Sequence, residues 1–249
     1  MASNKTRIDV ALVEQKFAPS RARAQALILA GIVVVNDKRV DKAGHLISPD
    51  STIRVKGKDH GWVSRGGLKL EKGLKEFNIS TKGMTIVDVG ASTGGFTHVS
   101  LDGGAEKVYA VDVGHGQLDW KLRTDDRVIV LEKTNARSLS TDLIPDPIDM
   151  ILCDASFISL KTVLPASLKL VKSGGYLVAL IKPQFEVGKE NVGKKGVVRE
   201  PSLHIAVCED IKNWVNLLEG WDVIGITESP IKGPEGNIEF LLGAKFNAS

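Results

Sequence analysis

The sequence is short of the residues that would mark a disulfide-stapled, metal-binding or membrane-spanning protein. Its two cysteines, Cys153 and Cys208, are too few and too far apart for a disulfide framework or a metal ligand set. Its five histidines are scattered, with no pair at metal-ligand spacing. The longest apolar run, as in "YLVALI", falls well below the roughly 20 residues that a membrane helix needs. The opening "MASNKTRIDVALVEQ" has no apolar h-region, so no secretory signal is expected. Together these absences predict a reducing, cytoplasmic protein. Charge of one sign is also scarce, with a net of +3 over 249 residues. The basic excess lies in about the first sixty residues, which fits contact with a polyanion as well as it fits a solvated basic face.

What is present falls into two patterns. Residues 1–58 form a compact unit: "RIDVALVEQ" places Ile8, Leu12 and Val13 on one helical face. "SRARAQALILAG" opens at Ser20, a candidate N-cap, and stops at Gly31. "IVVVNDKRV" reads as a strand entering a turn at Asn36-Asp37, and "STIRVKG" as another strand. Arg21 and Arg23 flank the start of the second helix, and Lys38 and Arg39 sit in the turn, so the four could share one surface. Residues 59–66, "DHGWVSRG", read as a linker to a second unit at 67–249.

That second unit opens with a helix, "GLKLEKGLKEF", and then alternates strand and helix. The expected strands are "TIVDVG", "KVYAVDV", "RVIVLEK", "IDMILCD" and "YLVALIK"; "KTVLPASLKLVKSGG" and "PSLHIAVCEDIKNWVNLLEG" read as helices. Alternation of this kind means a parallel sheet covered by helices. "WDVIGITES" and "IEFLLGAKF" follow closely and are expected to pair as an antiparallel edge, a feature of methyltransferase sheets. The fold class expected is therefore α/β, a Rossmann-like methyltransferase sheet behind a small N-terminal α+β domain.

"DVGASTGGFT" follows the first strand, and its glycines let the backbone approach a ligand. A Walker loop is excluded because no Gly-Lys-Ser/Thr follows. The dinucleotide fingerprint fails because position 92 is Ser. Asp112 ends the next strand 22 residues beyond Gly90, where an acidic residue holds ribose hydroxyls. A cofactor with a ribose and no pyrophosphate suits this best, and S-adenosylmethionine is the candidate. Its expected contacts are Asp88, Gly90, Ala91, Ser92, Gly94, Gly95, Phe96, Asp112, Asn135 and Asp154. Asn135 reads equally well as a turn former.

The residues after the fourth strand narrow the acceptor. "DASF", Asp154 to Phe157, has none of the prolines associated with exocyclic-amine methylation, and no cysteine nucleophile comes after a proline. Cys153 reads as an inert core residue. Lys182 closes the fifth strand, and Pro183 holds it extended at the strand's carboxyl end. Beside Asp154, it can meet a substrate hydroxyl as a base or as an electrostatic stabiliser. Phe157 reads as a base-stacking residue or as core. By residue pattern alone, Lys69 is a solvated helix lysine and Glu239, between Ile238 and Phe240, the wet face of an edge strand. The glycine-rich, basic segment 184–200 reads as a mobile RNA-ordering loop or as disorder.

Two resemblances sharpen this reading. "SRARAQALILAGIVVVNDKRV" resembles the S-four-like RNA-binding module, which implies that Arg21, Arg23, Lys38 and Arg39 face structured RNA. The loop residues Lys189, Lys194 and Lys195 are candidates for the same role. The whole chain resembles the TlyA family, whose catalytic domain is of the FtsJ-like ribose methyltransferase type. That resemblance implies a catalytic set of Lys69, Asp154, Lys182 and Glu239, S-adenosylmethionine as cofactor, and a cytidine 2′-hydroxyl in ribosomal RNA as acceptor. It leaves open whether the small subunit, the large subunit or both are used, since the family divides on that point and members with short termini tend toward the large subunit alone. The monomer is the expected oligomeric state. The rival readings are a non-catalytic ribosome assembly factor, a membrane-active haemolysin and an NAD-dependent dehydrogenase; the last needs the glycine missing at position 92.

Overall fold

A computed structural model describes residues 5–15, 17–18, 20–29, 31–55 and 61–248, apart from the side chains of Arg23, Ala26, Lys189 and Pro234. Chain contacts separate two units, Met1–Gly61 and Trp62–Ser249. The first two residues of the expected linker, 59–60, lie outside the described residues. From Trp62 on it packs in the larger unit: Trp62 and Val63 rest on the core, and the Val63 N–H donates to His98 Nδ1 at 3.1 Å.

In the smaller unit, β1 (Thr6–Arg7) runs into α1 (Ile8–Glu14), and α2 (Arg21–Leu29) follows. Ile8 and Leu12 are buried and Val13 half-buried, packed with Leu27 and Ile28. Gly31 has φ +66, the left-handed geometry of a residue just past a helix. β2 (Val33–Val35) returns as β3 (Lys38–Arg39), while β4 (Leu46–Ile47) pairs with β1 and β5 (Ile53–Val55) with β2. Lys38 and Arg39 are thus in the returning strand and not in the turn. Asn36 and Asp37, at φ 48 and 62, complete a two-residue type I′ hairpin by themselves.

Asp9 is fully buried beneath this unit's surface and takes bonds from Arg7, Arg21 and Gln25 at 3.0–3.1 Å. The Arg7 guanidinium, helped by Gln25 and Arg21 against the cost of burial, holds its carboxyl well below the usual range. Such a depressed carboxylate stabilises the fold above its unfolded pKa and loses that contribution as pH falls through the acid range. Asp9→Asn should therefore cost about 2 kcal/mol at pH 7, with the difference from wild type shrinking toward pH 3. Thermal melts of the two proteins across that range measure it.

The larger unit comprises α3 (Gly66–Glu76), β6 (Thr85–Val89), α4 (Gly95–Asp102), β7 (Lys107–Val111), α5 (Trp120–Arg123), β8 (Val128–Leu131) and β9 (Ile148–Cys153). α6 (Leu160–Val163), α7 (Pro165–Leu168), β10 (Val171–Ile181), α8 (Pro201–Asn216), β11 (Trp221–Glu228) and β12 (Phe240–Phe246) complete it. The helix expected across "KTVLPASLKLVKSGG" is two short helices that end at Leu168, and the strand begins already at Val171. Pro165 cannot donate into a preceding helical turn, which divides the segment there.

The sheet order is β11-β12-β10-β9-β6-β7-β8. β6 to β10 are parallel; β12 is antiparallel to both β10 and β11. The closing pair forms the antiparallel edge expected, with β12 against β10 and β11 outermost. Central strands read as continuous apolar runs because both faces are covered. Val87 and Ile151 belong to one core, while Ile86 and Leu152 pack with Leu70, Phe96 and Val99 of α3 and α4 in the other. Cys153 is fully buried, and burial pushes its thiol up to about 12, so it is inert as expected. Among the described residues, no helix is long and apolar enough to cross a membrane.

Candidate active site

The strand order turns at β6, with β7 on one side and β9 on the other, so the carboxyl ends of β6, β7, β9 and β10 frame one crevice. Gly90 follows β6 at φ +80, and a Cβ there would stand 2.9 Å from the Ala155 Cα. The two loops thus touch backbone to backbone. A Cβ on Gly95 would meet Ser64 Oγ at 2.4 Å and the Gly67 nitrogen at 2.8 Å. This glycine lets the start of α3 close over the start of α4.

Two cavities meet at Gly90, Ser92, Asp154 and Ser156. One, of about 380 Å³, runs over the ends of β7 and β8 past Asp112, Gln117, Asn135 and Ile158. Asp112 is fixed there by the Ser92 N–H at 2.8 Å and the Gly114 N–H at 2.7 Å. Asn135 lines this cavity, but its Oδ1 caps the next turn by accepting from the Arg137 N–H at 3.1 Å, so the turn-forming reading of it also holds. The lining has carboxylates and apolar side chains, with no Lys or Arg among the described residues. That chemistry fits a nucleoside without phosphates. Phe157 is 90% exposed at this cavity, at φ +65, its ring 5.2 Å from that of Phe185, so the core alternative for it is excluded.

The other cavity, of about 240 Å³, is lined by Ala91, Ser92, Gly95, Phe96, Lys69 and Asp88 among others. Phe96 is also part of the core, and Gly94, at φ +91, starts α4. Asp88 is fully buried, with the Thr97 hydroxyl donating to its Oδ2 at 2.6 Å. Burial raises its carboxyl to about 7, against the opposing Thr97 bond and with Asp154 adding to the rise. A carboxyl raised in the fold stabilises fully only below its unfolded pKa, and the contribution is lost as pH rises through about 7. Asp88→Asn should therefore gain up to about 4 kcal/mol over wild type at pH 8 and almost nothing at pH 4. Denaturant melts at both pH values check this.

At the junction of the cavities, four charged side chains converge. Lys182, 5% exposed, is extended before Pro183, and its Nζ stands 2.7 Å from Asp154 Oδ1. It also donates to the Asp154 and Ala155 carbonyls at 3.0 Å each and to Ser156 Oγ at 2.9 Å. Asp154 Oδ2 is 3.4 Å from Lys69 Nζ, which lies 2.7 Å from Glu239 Oε2. The order is cation, anion, cation, anion. The residue-pattern readings of two of these positions are corrected here. Lys69 is buried because Gly73, one turn on along α3, packs against Val178 of β10 and Leu241 of β12. Glu239 is only 1% exposed because it precedes a strand inside the sheet.

This arrangement can be compared with known proteins. Residues 62–246 match the FtsJ-like methyltransferase family and residues 6–53 the S4 domain. The 16S/23S rRNA (cytidine-2′-O)-methyltransferase TlyA of Mycobacterium tuberculosis is 44% identical over 96% of this chain and 90% of its own. Hemolysin A of Brachyspira hyodysenteriae is 41% identical over 94% of this chain and 98% of its own. A Streptococcus thermophilus protein of known structure superposes with TM-score 0.76 at 46% identity, covering all of this chain and 90% of that one. The chain belongs to the TlyA family.

S-adenosylmethionine is the cofactor of FtsJ-like methyltransferases such as this one. Lys38 and Arg39 are exposed on β3 and, with Lys5 and His45, line a concavity of about 570 Å³ in the smaller unit. Arg21 is tied to Asp9. Lys194 and Lys195 are exposed in a segment held at its far end by Asn237, whose amide donates to the Gly196 carbonyl at 3.0 Å. The side chains of Arg23 and Lys189 lie outside the described residues. Lys5, His45, Thr97 and Ser156 carry no signal in the sequence; each becomes visible only through its neighbours in space.

Proposed function

We propose that this chain transfers a methyl group from S-adenosylmethionine to the ribose 2′-hydroxyl of a cytidine in ribosomal RNA, in the cytoplasm. The observation that carries this reading is the convergence of Lys182, Asp154, Lys69 and Glu239 where the two cavities meet. When bound, the cofactor supplies an electrophilic methyl group. Asp112 would hold its ribose, the Gly90–Gly95 turn would pass close along it, and Asn135 would lie at the adenine end. Asp88 would face its amino-acid end.

Lys182 would take the proton of the 2′-hydroxyl, neutral before the step and ammonium after it. Asp154 orients the amine through one oxygen and balances the ammonium. Lys69 and Glu239 complete the charge balance, so the buried site gains no net charge beyond the proton received. Phe157 offers an exposed face for the cytidine base. Residues 1–58 would dock the RNA with Lys38 and Arg39, and Lys194 and Lys195 would meet its phosphates. Such contacts position the substrate without reading bases.

Transfer of labelled methyl to isolated small and large ribosomal subunits tests this. The label is expected in RNA, at one nucleotide whose 3′ linkage resists alkaline cleavage. Transfer should fall steeply as salt rises, because phosphate contacts release counterions. No label in either subunit, with cofactor bound, would refute the assignment.

A further inference from the structure

Lys182 Nζ has three protons to donate when charged. All three make hydrogen bonds, to the Asp154 carbonyl, the Ala155 carbonyl and Ser156 Oγ, while Asp154 Oδ1 at 2.7 Å pairs with the charge without taking a hydrogen bond. The two carbonyls belong to main chain that the Gly90 turn presses against, so neither can move aside. A neutral lysine keeps two protons for those carbonyls. Its lone pair then lies along the third direction, facing the Ser156 hydroxyl. A proton reaches Lys182 from that side.

Ser156 is the one exposed member of this set, and it lines both cavities. Accepting the proposed methylation reaction, we infer that Ser156 is a catalytic residue that relays the 2′-hydroxyl proton to Lys182. The ribose 2′-hydroxyl donates to Ser156 Oγ while the Ser156 hydroxyl donates to Lys182 Nζ. As the 2′-oxygen bonds to the methyl carbon, the carbon–sulfur bond breaks and its electron pair stays with sulfur. The 2′-proton passes to Ser156 Oγ and the Ser156 proton to Nζ. Serine ends neutral and lysine ends as ammonium, still held by two carbonyls and the Asp154 carboxylate.

The test compares Ser156→Ala, Ser156→Thr and Lys182→Ala with wild type in single-turnover methyl transfer. Ser156→Ala should lose about 10²-fold in rate while S-adenosylhomocysteine affinity, measured by calorimetry, stays within about threefold of wild type. Ser156→Thr, which keeps the hydroxyl, should recover most of the rate. A second readout needs no cofactor: the Lys182 side-chain nitrogen resonance should move in Ser156→Ala and return in Ser156→Thr. A wild-type rate in Ser156→Ala, or an unmoved resonance, would overturn the relay. If Lys182→Ala were inactive in that case, direct proton transfer to lysine would stand; an active Lys182→Ala would instead remove the reading on which the relay rests.

Discussion

Lys182→Ala is expected to lower kcat by about 10³-fold or more while cofactor affinity stays within a few-fold of wild type. The separation follows from the geometry. Lys182 lines the smaller cavity and touches Asp154 and Ser156, where the cavities meet. Asp112, Gln117 and Asn135, which line the other cavity, do not bond it. In the proposed mechanism, removing the amine takes away the group that receives the 2′-proton and leaves the nucleoside slot as it was. Single-turnover kinetics beside calorimetry resolves the two. A loss of cofactor affinity as large as the loss of rate would mean that Lys182 holds the cofactor and has no part in proton transfer.

Glu239→Gln has the second largest expected effect, and it falls on stability and rate together. Glu239 is buried against Gly233, where a Cβ would stand 2.2 Å from its Oε1, so the pocket is shaped to the carboxylate. Its partner Lys69 is buried as well and, among the described residues, has Asp154 as its one other anion, at the longer distance of 3.4 Å. Breaking a buried pair by removing one charge leaves the other uncompensated, at a cost of about 3–5 kcal/mol. Lys69 should then draw Asp154 toward itself and away from Lys182, lowering the rate. Replacing both ends, as Lys69→Met with Glu239→Gln, should recover a large part of the stability and none of the rate. Denaturant melts of the single and double variants form the cycle that tests this. A double variant as unstable as the single would show that packing, and not charge, governs the pair.

Much of the fold could be read from the chain because its signals are local. Each parallel strand is an apolar run that ends at a glycine or a charged residue, and β6 to β9 fall where those runs are. Lys182 was legible because Pro183 fixes its backbone and the strand places it. Glu239 and Lys69 were not, since their burial is decided by events distant in sequence. β12 inserts between β10 and β11, and α3 lies along it through Gly73. Residue alternation near a strand says which face a side chain takes, not whether another strand covers it. Only the family resemblance singled out these two positions. Arg21 adds a partner that its place at a helix start does not disclose: Asp9, twelve residues earlier, pairs with it by a salt bridge at 3.0 Å.

The account stands most directly on where the methyl group ends. Ribosomal RNA methylated by the purified protein can be digested to nucleosides and the labelled nucleoside fragmented by mass spectrometry. The four converging side chains predict methylated cytidine with the added mass on the ribose fragment, absent when Lys182→Ala replaces wild type. Added mass on the base fragment would contradict the assignment of Lys182 and Asp154 to a hydroxyl acceptor.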